Sequence, residues 1–312
     1  MVTFNVISET SGRFSWTGAG SLNESYSQAV TLFHSGEKSR AIELLEQLHR
    51  QNPDYFYITE FLGSYYMETD QTFLAMDYFR EVCLNAQMRI PEDFKGAVPW
   101  SCIENRAYLS ALYNLGVMSF GMHNYEFACM YFRKLLELDP WDRHGVRYIM
   151  GDVYFNAGNI GEAEFSYRQC VKNSHVRYSL GLLLYAKGNH AESVQQFCSA
   201  IILDDIPYSI HTSCRLKRTG DFQKRVDAMY YTAYTADLWA KYGGGEFLKK
   251  IFESKTFQVR YHRIIMKRKQ LNNIMLTSAV ERMKLKREIF NLVNSISLKF
   301  AQQILNDIKA AG

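Results

Sequence analysis

Small and large apolar residues recur at fixed distances along the first two thirds of the chain. A small anchor residue is followed twelve positions later by another small residue and sixteen positions later by a large apolar one. The anchors are Ala29, Gly63, Gly116, Gly151 and Gly181, and the large residues are Leu45, Phe79, Phe132, Tyr167 and Phe197. Antiparallel helices that cross closely need small side chains at the crossing and a large one beside it. The spacing therefore predicts stacked helical hairpins over residues 21–208.

Turn residues and irregular spacings complete this pattern. Gly36, Gly158 and Gly188 fall where the two helices of a hairpin must be joined. The anchor spacings of 34, 53, 35 and 30 residues predict an insertion at 88–107, in the form of a loop or a short extra element, and a shortened junction around 172–176. A capping box at 21–24 predicts that the first helix begins there.

The C-terminal region is expected to be helical because 246–311 lacks both glycine and proline. A second capping box at 278–281 predicts that one helix ends near Asn273 and that another begins at about Ala279. The last helix carries one apolar stripe, formed by Leu285, Ile289, Leu292, Ile296, Phe300, Ile304 and Ile308. Packing of this stripe on the array as a terminal cap is the favoured interpretation, and a homodimer through the last helix is the alternative.

Composition favours a soluble helical protein of 312 residues. No run approaches the ~20 apolar residues that a membrane span needs, and the N-terminus does not resemble a secretory signal. The six cysteines are isolated from one another, which favours a reducing compartment over a disulfide framework. We expect a cytoplasmic protein with an N-terminal extension at 1–20, repeats at 21–208 and a basic helical region at 209–312.

The charge is distributed unevenly between these regions. Residues 1–214 carry 16 Lys and Arg against 24 Asp and Glu, whereas 215–312 carry 20 against 8. The basic patch comprises Lys267, Arg268, Lys269, Lys284, Lys286 and Arg287. Such a patch can attract the phosphates of nucleic acids or acidic lipids. A solvated helix face, or a complement to the acidic repeats, would explain it equally well.

The stretches 111–116, 125–128 and 131–140 read ALYNLG, YEFA and YFRKLLELDP, and they resemble the tetratricopeptide repeat family. The segment 138–148 also looks like one found in uncharacterised bacterial members of that family. The resemblance implies an all-α, right-handed helical solenoid of about five helix-turn-helix repeats with a C-terminal helical cap. It further implies a scaffold or adaptor that binds other proteins.

In this family the first helices of successive repeats line a concave groove. The resemblance therefore implies a groove for a peptide or helix of a partner protein, lined by Tyr26, Phe33, Tyr113, Asn114, Phe120, Tyr148, Asp152, Phe155, Asn156 and Tyr178. Some members clamp a C-terminal carboxylate with basic residues on these helices. The equivalent positions here include Tyr26, Val30, Phe61 and Ser110, so we do not expect that mode of binding.

Motifs that carry catalytic or cofactor chemistry are lacking in the sequence. The tetrapeptide GEKS at 36–39 has neither the upstream glycine nor the spacing of a phosphate loop, and the eight histidines never form His-Glu-x-x-His. We therefore predict no catalytic residue, no metal site and no cofactor. The alternative is an enzyme whose site lies between the array and the C-terminal helices.

Overall fold

The computed structural model describes residues 2–17, 20–213, 222–273 and 279–311. Within these ranges the chain forms one β-hairpin followed by helices that pack largely as antiparallel pairs. It divides into two units, 1–146 and 147–312. This division falls inside the stretch where the sequence predicts repeats.

Unit 1 contains the hairpin and three helix pairs. Strands β1 (Val2–Ser8) and β2 (Ser11–Trp16) are antiparallel, with Phe4 opposite Phe14. The helices are α1 (Gly20–His34), α2 (Lys38–Gln51), α3 (Phe56–Glu68), α4 (Thr72–Gln87), α5 (Arg106–Gly121) and α6 (Tyr125–Leu138). They pair as α1 with α2, α3 with α4 and α5 with α6.

Unit 2 continues with further helix pairs and then the C-terminal helices. The pairs are α7 (Val146–Asn156) with α8 (Ile160–Gln169), and α9 (Ser174–Ala186) with α10 (His190–Leu203). The remaining helices are α11 (Ile206–Thr212), α12 (Phe222–Tyr242), α13 (Gly244–Glu253), α14 (Lys255–Asn273), α15 (Ala279–Asn294) and α16 (Leu298–Ala311).

The anchor residues lie at the helix crossings, as the spacing predicts. A Cβ atom added to Gly116 would lie 2.4 Å from a ring carbon of Phe132, and one added to Gly151 would lie 2.3 Å from the Tyr167 ring. A Cβ atom added to Gly63 would lie 2.7 Å from a ring carbon of Phe79, and one added to Gly181 would lie 2.7 Å from a ring carbon of Phe197. Each large ring is fully or almost fully buried against its glycine. In each of these hairpins, a glycine on the first helix leaves the space that a large ring on the second helix fills.

The turns between paired helices share a left-handed backbone conformation. Gly36, Gly158 and Gly188 have φ angles of +97°, +80° and +78°, which glycine adopts without steric cost. Asp70 and His123 hold the corresponding turns after α3 and α5, with φ of +58° and +59°. The sequence did not reveal these two turns because they lack glycine.

The irregular spacings have direct structural counterparts. The insertion is a loop after α4 that ends in a short 3₁₀ turn, Ile103–Asn105, directly before α5. The buried Asn105 side chain accepts a hydrogen bond from the Phe14 amide at 3.1 Å and donates to the carbonyls of Gly12 and Pro99 at 3.2 and 3.0 Å. The insertion thus anchors the N-terminal hairpin, an element that we did not predict. The shortening is present but was predicted in the wrong place. The junction 170–173 is as long as 52–55, whereas α8 has 10 residues and α2 and α6 have 14 each.

Two predictions about helix boundaries are wrong. Helix α1 begins at Gly20, one residue before the predicted cap Ser21, which lies inside the first turn. The predicted last helix is two helices, because Ser297 begins a new one: its hydroxyl accepts from the Phe300 amide at 3.3 Å. Helix α14 is described as far as Asn273 and α15 from Ala279. The residues between them, including the predicted cap Ser278, lie outside the described ranges, so the predicted end and start stay predictions.

The C-terminal stripe packs as a cap on the last helix pair. Helix α16 lies against α10 and also contacts α13 and α14. Its Phe300, Ala301 and Ile304 are buried, and the Gln195 side chain of α10 donates to the Ile296 carbonyl at 2.9 Å. This confirms the favoured interpretation of the stripe for these residues.

Candidate functional site

The groove residues expected in unit 2 are mostly buried. Asp152, Phe155 and Tyr178 expose 7%, 2% and 0% of their surface, whereas Tyr148 exposes 49%. Asn156 is half-buried, and its side-chain amide donates to the Asp152 carbonyl of its own helix at 2.9 Å. Three of these five side chains therefore have little or no surface available to a peptide in this structure.

Helix α12 covers the face of α7 and α9 on which a peptide was expected. The ring of Tyr242 stacks on Phe155 at 5.4 Å between centroids, and Tyr231 stacks on His175 at 4.9 Å. Tyr231 also lies 6.3 Å from Tyr178. The expected surface in unit 2 is thus occupied by a segment of the same chain.

A buried hydrogen-bond network lies beneath α12. The Asp152 carboxylate accepts from the hydroxyls of Tyr167 at 2.7 Å and Ser179 at 2.6 Å, and the Tyr231 hydroxyl is 3.2 Å from that of Ser179. Burial raises the pKa of Asp152 to about 6, although its two hydrogen bonds act in the opposite direction. This network serves the packing of α12 and offers no open site.

The groove residues expected in unit 1 differ in their accessibility. Phe120 is 4% exposed, and Tyr113, which is half-buried, stacks on His144 at 4.9 Å. Tyr26, Phe33 and Asn114 are also half-buried. Of these residues, Tyr26 and Phe33 belong to the same cluster of aromatic side chains.

These aromatic side chains form one continuous strip, which we call the aromatic face. It consists of half-buried rings from β2, α1 and α3, namely Trp16, Tyr26, Phe33, Tyr57, Phe61 and Tyr65. Centroid distances connect them in sequence: Trp16 to Tyr57 5.4 Å, Tyr57 to Tyr26 6.2 Å, Tyr26 to Phe61 6.4 Å, Phe61 to Phe33 5.2 Å and Phe33 to Tyr65 6.0 Å. Neighbouring rings are therefore in mutual contact along the whole strip.

Helical periodicity places these rings on one side. Tyr57, Phe61 and Tyr65 follow one another at four-residue intervals along α3, so they share a face of that helix. Tyr26 and Phe33 are seven residues apart on α1 and share a face in the same way. At 1.5 Å per residue the strip extends for ~12 Å along α3. This length matches three to four residues of an extended peptide at ~3.3 Å each.

A carboxylate lies among the rings of the aromatic face. Glu60 accepts a hydrogen bond from the Ser64 hydroxyl at 3.1 Å, and burial raises the pKa of its carboxyl group. Burial and then the charge of Glu60 raise the pKa of Tyr26 to about 12. Burial followed by the charge of Glu104 raises the pKa of Tyr57. Two acidic groups thus act electrostatically on the rings of this face.

The sequence pointed to only part of this face. The offsets from the anchors selected Tyr26 and Phe33 but gave Glu60 instead of Tyr57 on α3. The signal that would have found the α3 rings is the four-residue interval between Tyr57, Phe61 and Tyr65. Trp16 could not be found in this way, because the hairpin that carries it was not predicted.

The basic patch lies on α14 and α15, and its members differ in their surroundings. Lys267 forms an ion pair with Glu288, and the Arg268 guanidinium donates to the Ile202 carbonyl at 2.7 Å. Burial lowers the pKa of Arg268. The remaining members are exposed: Lys269, Lys284, Lys286 and Arg287.

Other kinds of site are not found in the described part of the chain. There, no group of three or more His, Cys, Asp and Glu side chains could hold a metal ion. No helix in the described ranges combines the length and the apolar character that a membrane crossing needs. Cys83, Cys102, Cys129, Cys170 and Cys198 are free thiols, and Cys214 lies outside the described residues.

Comparisons with known proteins agree with the helix pairs. A family model described as the tetratricopeptide repeat matches residues 109–140 and 144–175. No curated protein matches the chain significantly. Tetratricopeptide repeats are typical of protein–protein interaction scaffolds rather than of enzymes.

The solved structures that this chain matches include several tetratricopeptide proteins. One from Parabacteroides merdae is 15% identical, with a TM-score of 0.48, over 92% of this chain and 98% of that one. YrrB, a protein with an unusual peptide-binding site, is 16% identical, with a TM-score of 0.46, over 66% of this chain and 90% of that one. MamA is 17% identical, with a TM-score of 0.47, over 63% of this chain and 100% of that one. The family model thus identifies two tetratricopeptide repeats in this chain, at 109–140 and 144–175, in the part that forms the helix pairs α5 with α6 and α7 with α8.

Proposed function

We propose that this protein is an adaptor that binds a peptide segment of a partner protein on the aromatic face of unit 1. The observation that carries the proposal is the continuous strip of six half-buried rings, each in contact with the next. Aromatic side chains supply large contact areas with little loss of conformational freedom, and they are enriched at binding hot spots.

Tyr26 and Phe33 are the groove residues at the centre of this proposal. We include Tyr113 and Asn114 of α5 as an extension of the site, and Tyr148 and Asn156 of α7 as a separate surface. Phe120 is too deeply buried to contribute more than an edge. Asp152, Phe155 and Tyr178 would become available to a partner only if α12 moved away.

The first experiment asks whether peptides bind at this face. Random dodecapeptides displayed on phage are selected on the full-length protein, and the enriched peptides are then titrated against a Tyr26→Ser/Phe61→Ser variant. Both side chains are half-buried, so circular dichroism is used to verify that the variant keeps its helicity. We expect the selected peptides to lose at least ~10-fold in affinity, the typical effect of truncating a hot spot by about 1.4 kcal/mol or more.

A matched control uses exposed rings of the same unit that lie outside the face. Phe73 on α4 and Phe127 on α6 expose 74% and 49% of their surface, and a Phe73→Ser/Phe127→Ser variant should bind the peptides as the wild type does. If both double variants bind equally well, the aromatic face is not the site.

A second candidate function is association with nucleic acid or an anionic membrane through the basic patch. Its support is the set of four exposed basic side chains on α14 and α15. Because Lys267 and Arg268 already have partners within unit 2, the informative variant changes Lys269, Lys284, Lys286 and Arg287 to Glu. Salt-dependent binding of RNA, DNA or acidic vesicles that this variant loses would support the second function, and no binding at low salt would refute it.

Two finer expectations belong to the same proposal. A cytoplasmic location accords with isolated cysteines that are free thiols in the described residues. A homodimer through the C-terminal helices would have to use the apolar side chains that α15 leaves exposed, such as Val280, Met283 and Phe290. Sedimentation of the purified chain at several concentrations tests the dimer.

A further inference from the structure

We propose that the aromatic face recognises a partner segment through a lysine or arginine side chain placed beside Glu60, against the rings of Tyr26, Tyr57 and Phe61. This inference rests on the proposed function and specifies the chemistry of the partner. It assigns distinct roles to the two kinds of group on the face. The rings hold the apolar stem of the basic side chain, and the carboxylate holds its charge.

Glu60 has no cation beside it in the part of the chain that the structure describes. Among the described residues, its side chain makes one hydrogen bond, from Ser64, and forms no ion pair. Burial next to aromatic rings disfavours the ionised carboxylate, and the pKa of Glu60 is raised accordingly. A cation brought by a partner would relieve this cost, because an opposite charge nearby favours the ionised form.

The aromatic rings around Glu60 also attract a cation. The face of a tyrosine or phenylalanine ring carries partial negative charge, so a cation is attracted to it from within about 6 Å of the ring centre. Tyr57 precedes Glu60 by three residues on α3, Phe61 follows it directly, and Tyr26 approaches both rings from α1 at 6.2 and 6.4 Å. A single basic side chain at Glu60 therefore has several rings within reach.

A second carboxylate and an arginine also lie near the aromatic face. Glu104 acts on Tyr57 from the N-terminal side of α5, where Arg106 is also close. The Arg106 guanidinium donates to the Trp100 carbonyl at 3.1 Å and lies over the Trp100 ring at 5.2 Å. Arg106 is thus held by Trp100, and Lys38 lies over the ring of Phe33, 5.1 Å from its centroid, in another part of the strip. Around Tyr26 and Tyr57 the two carboxylates therefore favour a basic segment and oppose an acidic one.

The test uses the selected dodecapeptides and changes one charge on each side of the contact. In the tightest-binding peptide, the lysine is replaced by norleucine or the arginine by citrulline, and both peptides are titrated by fluorescence anisotropy. The proteins are the wild type, Glu60→Gln, and Glu43→Gln as a matched control on the exposed side of α2. Because the peptide change leaves the protein intact, a folding defect cannot imitate its result.

We expect lysine or arginine to be enriched in the selected peptides. Neutralising it should weaken binding ~10-fold in the wild type and in Glu43→Gln, the effect of one ion pair combined with ring contacts. In Glu60→Gln the same peptide change should have a clearly smaller effect. Raising the salt concentration should weaken binding only in those combinations of protein and peptide that keep both the Glu60 carboxylate and the basic side chain of the peptide.

Two outcomes would overturn the inference, and they can be told apart. The basic partner is refuted if the selected peptides depend on Tyr26 and Phe61 but contain no basic residue. It is also refuted if neutralising the basic residue weakens binding to Glu60→Gln as much as binding to the wild type. Both results leave the peptide-binding function intact. Peptides that are insensitive to Tyr26→Ser/Phe61→Ser would refute both.

Discussion

Replacing Gly116 with alanine tests the packing rule on which the helix pairs depend. The added Cβ would lie 2.4, 2.6 and 2.9 Å from three ring carbons of Phe132. Real Cβ atoms do not approach other heavy atoms so closely, so either the ring or the helix must move. Phe132 is fully buried and cannot turn into solvent.

The size of the effect follows from two opposing contributions. Extra volume in a well-packed core costs about 1–3 kcal/mol, whereas alanine favours a helix over glycine by about 1 kcal/mol. We therefore expect Gly116→Ala to destabilise the protein by up to ~2 kcal/mol. Gly161 provides a control, because it also lies in a helix and its added Cβ would have no atom within 4 Å. Gly161→Ala should be neutral or stabilising.

The chain itself suggests a compensating change. At the first crossing the anchor is Ala29 and the residue sixteen positions later is Leu45, and both are fully buried. A larger anchor therefore coexists with a smaller partner. In the double variant Gly116→Ala/Phe132→Leu, the two changes should be less harmful than the sum of the single changes, with a coupling of at least ~0.5 kcal/mol.

Urea unfolding followed by far-ultraviolet circular dichroism measures these effects as shifts of the midpoint. The expected order of stability is Gly161→Ala at or above the wild type, with Gly116→Ala below both. The packing of a ring against each anchor glycine does not limit stability if Gly116→Ala is as stable as Gly161→Ala, or if the double-mutant cycle shows no coupling.

Three further predictions concern other parts of the structure. The pKa of Asp152 is raised to about 6 in the folded state, so its contribution to stability is greatest at low pH and falls by ~2 kcal/mol as the pH rises from about 4 to about 6. Urea midpoints at both pH values should show this loss in the wild type and not in Asp152→Asn. Asn105→Ala leaves the buried amide of Phe14 without its acceptor, so we expect a loss of about 1–3 kcal/mol and faster hydrogen exchange in 2–16; exchange unchanged from the wild type would contradict the anchoring role. Asp70 adopts a left-handed conformation, which is strained for a residue with a side chain, at a turn where other repeats have glycine. Asp70→Gly should therefore raise the free energy of unfolding by about 1 kcal/mol. A lower urea midpoint would disprove this strain.

The helix pairs could be predicted because their determining contacts are local in the sequence. An anchor glycine and the ring that fills its place are sixteen residues apart, and the turn between their helices carries its own glycine in three cases. The same logic located the insertion before α5 and showed that the repeat before α9 is short, although the missing residues are in α8 and not in the junction. Local signals of this kind are repeated, so each repeat supports the interpretation of the others.

The binding surface could be predicted only in part, because its exposure depends on distant segments. Phe155 and Tyr178 stand at the same offsets as Phe33 and Tyr26, but α12 covers the first two, whereas Phe33 and Tyr26 are half-buried within unit 1. The sequence around Tyr178 does not predict its contact with Tyr231, because Tyr231 is more than fifty residues away in the chain. The N-terminal hairpin was missed for a similar reason, since a two-stranded ribbon is marginal by itself and here depends on Asn105, about ninety residues away.

We propose unit 1 as the part of this protein that presents the binding surface. Hydrogen–deuterium exchange of the full-length chain, with and without a saturating concentration of a selected dodecapeptide, locates the contact without any mutation. We expect protection of 26–33 on α1 and 57–65 on α3, with little change in α7, α9 and α12. Protection confined to the α7, α9 and α12 region, or to the basic helices α14 and α15, would contradict the account.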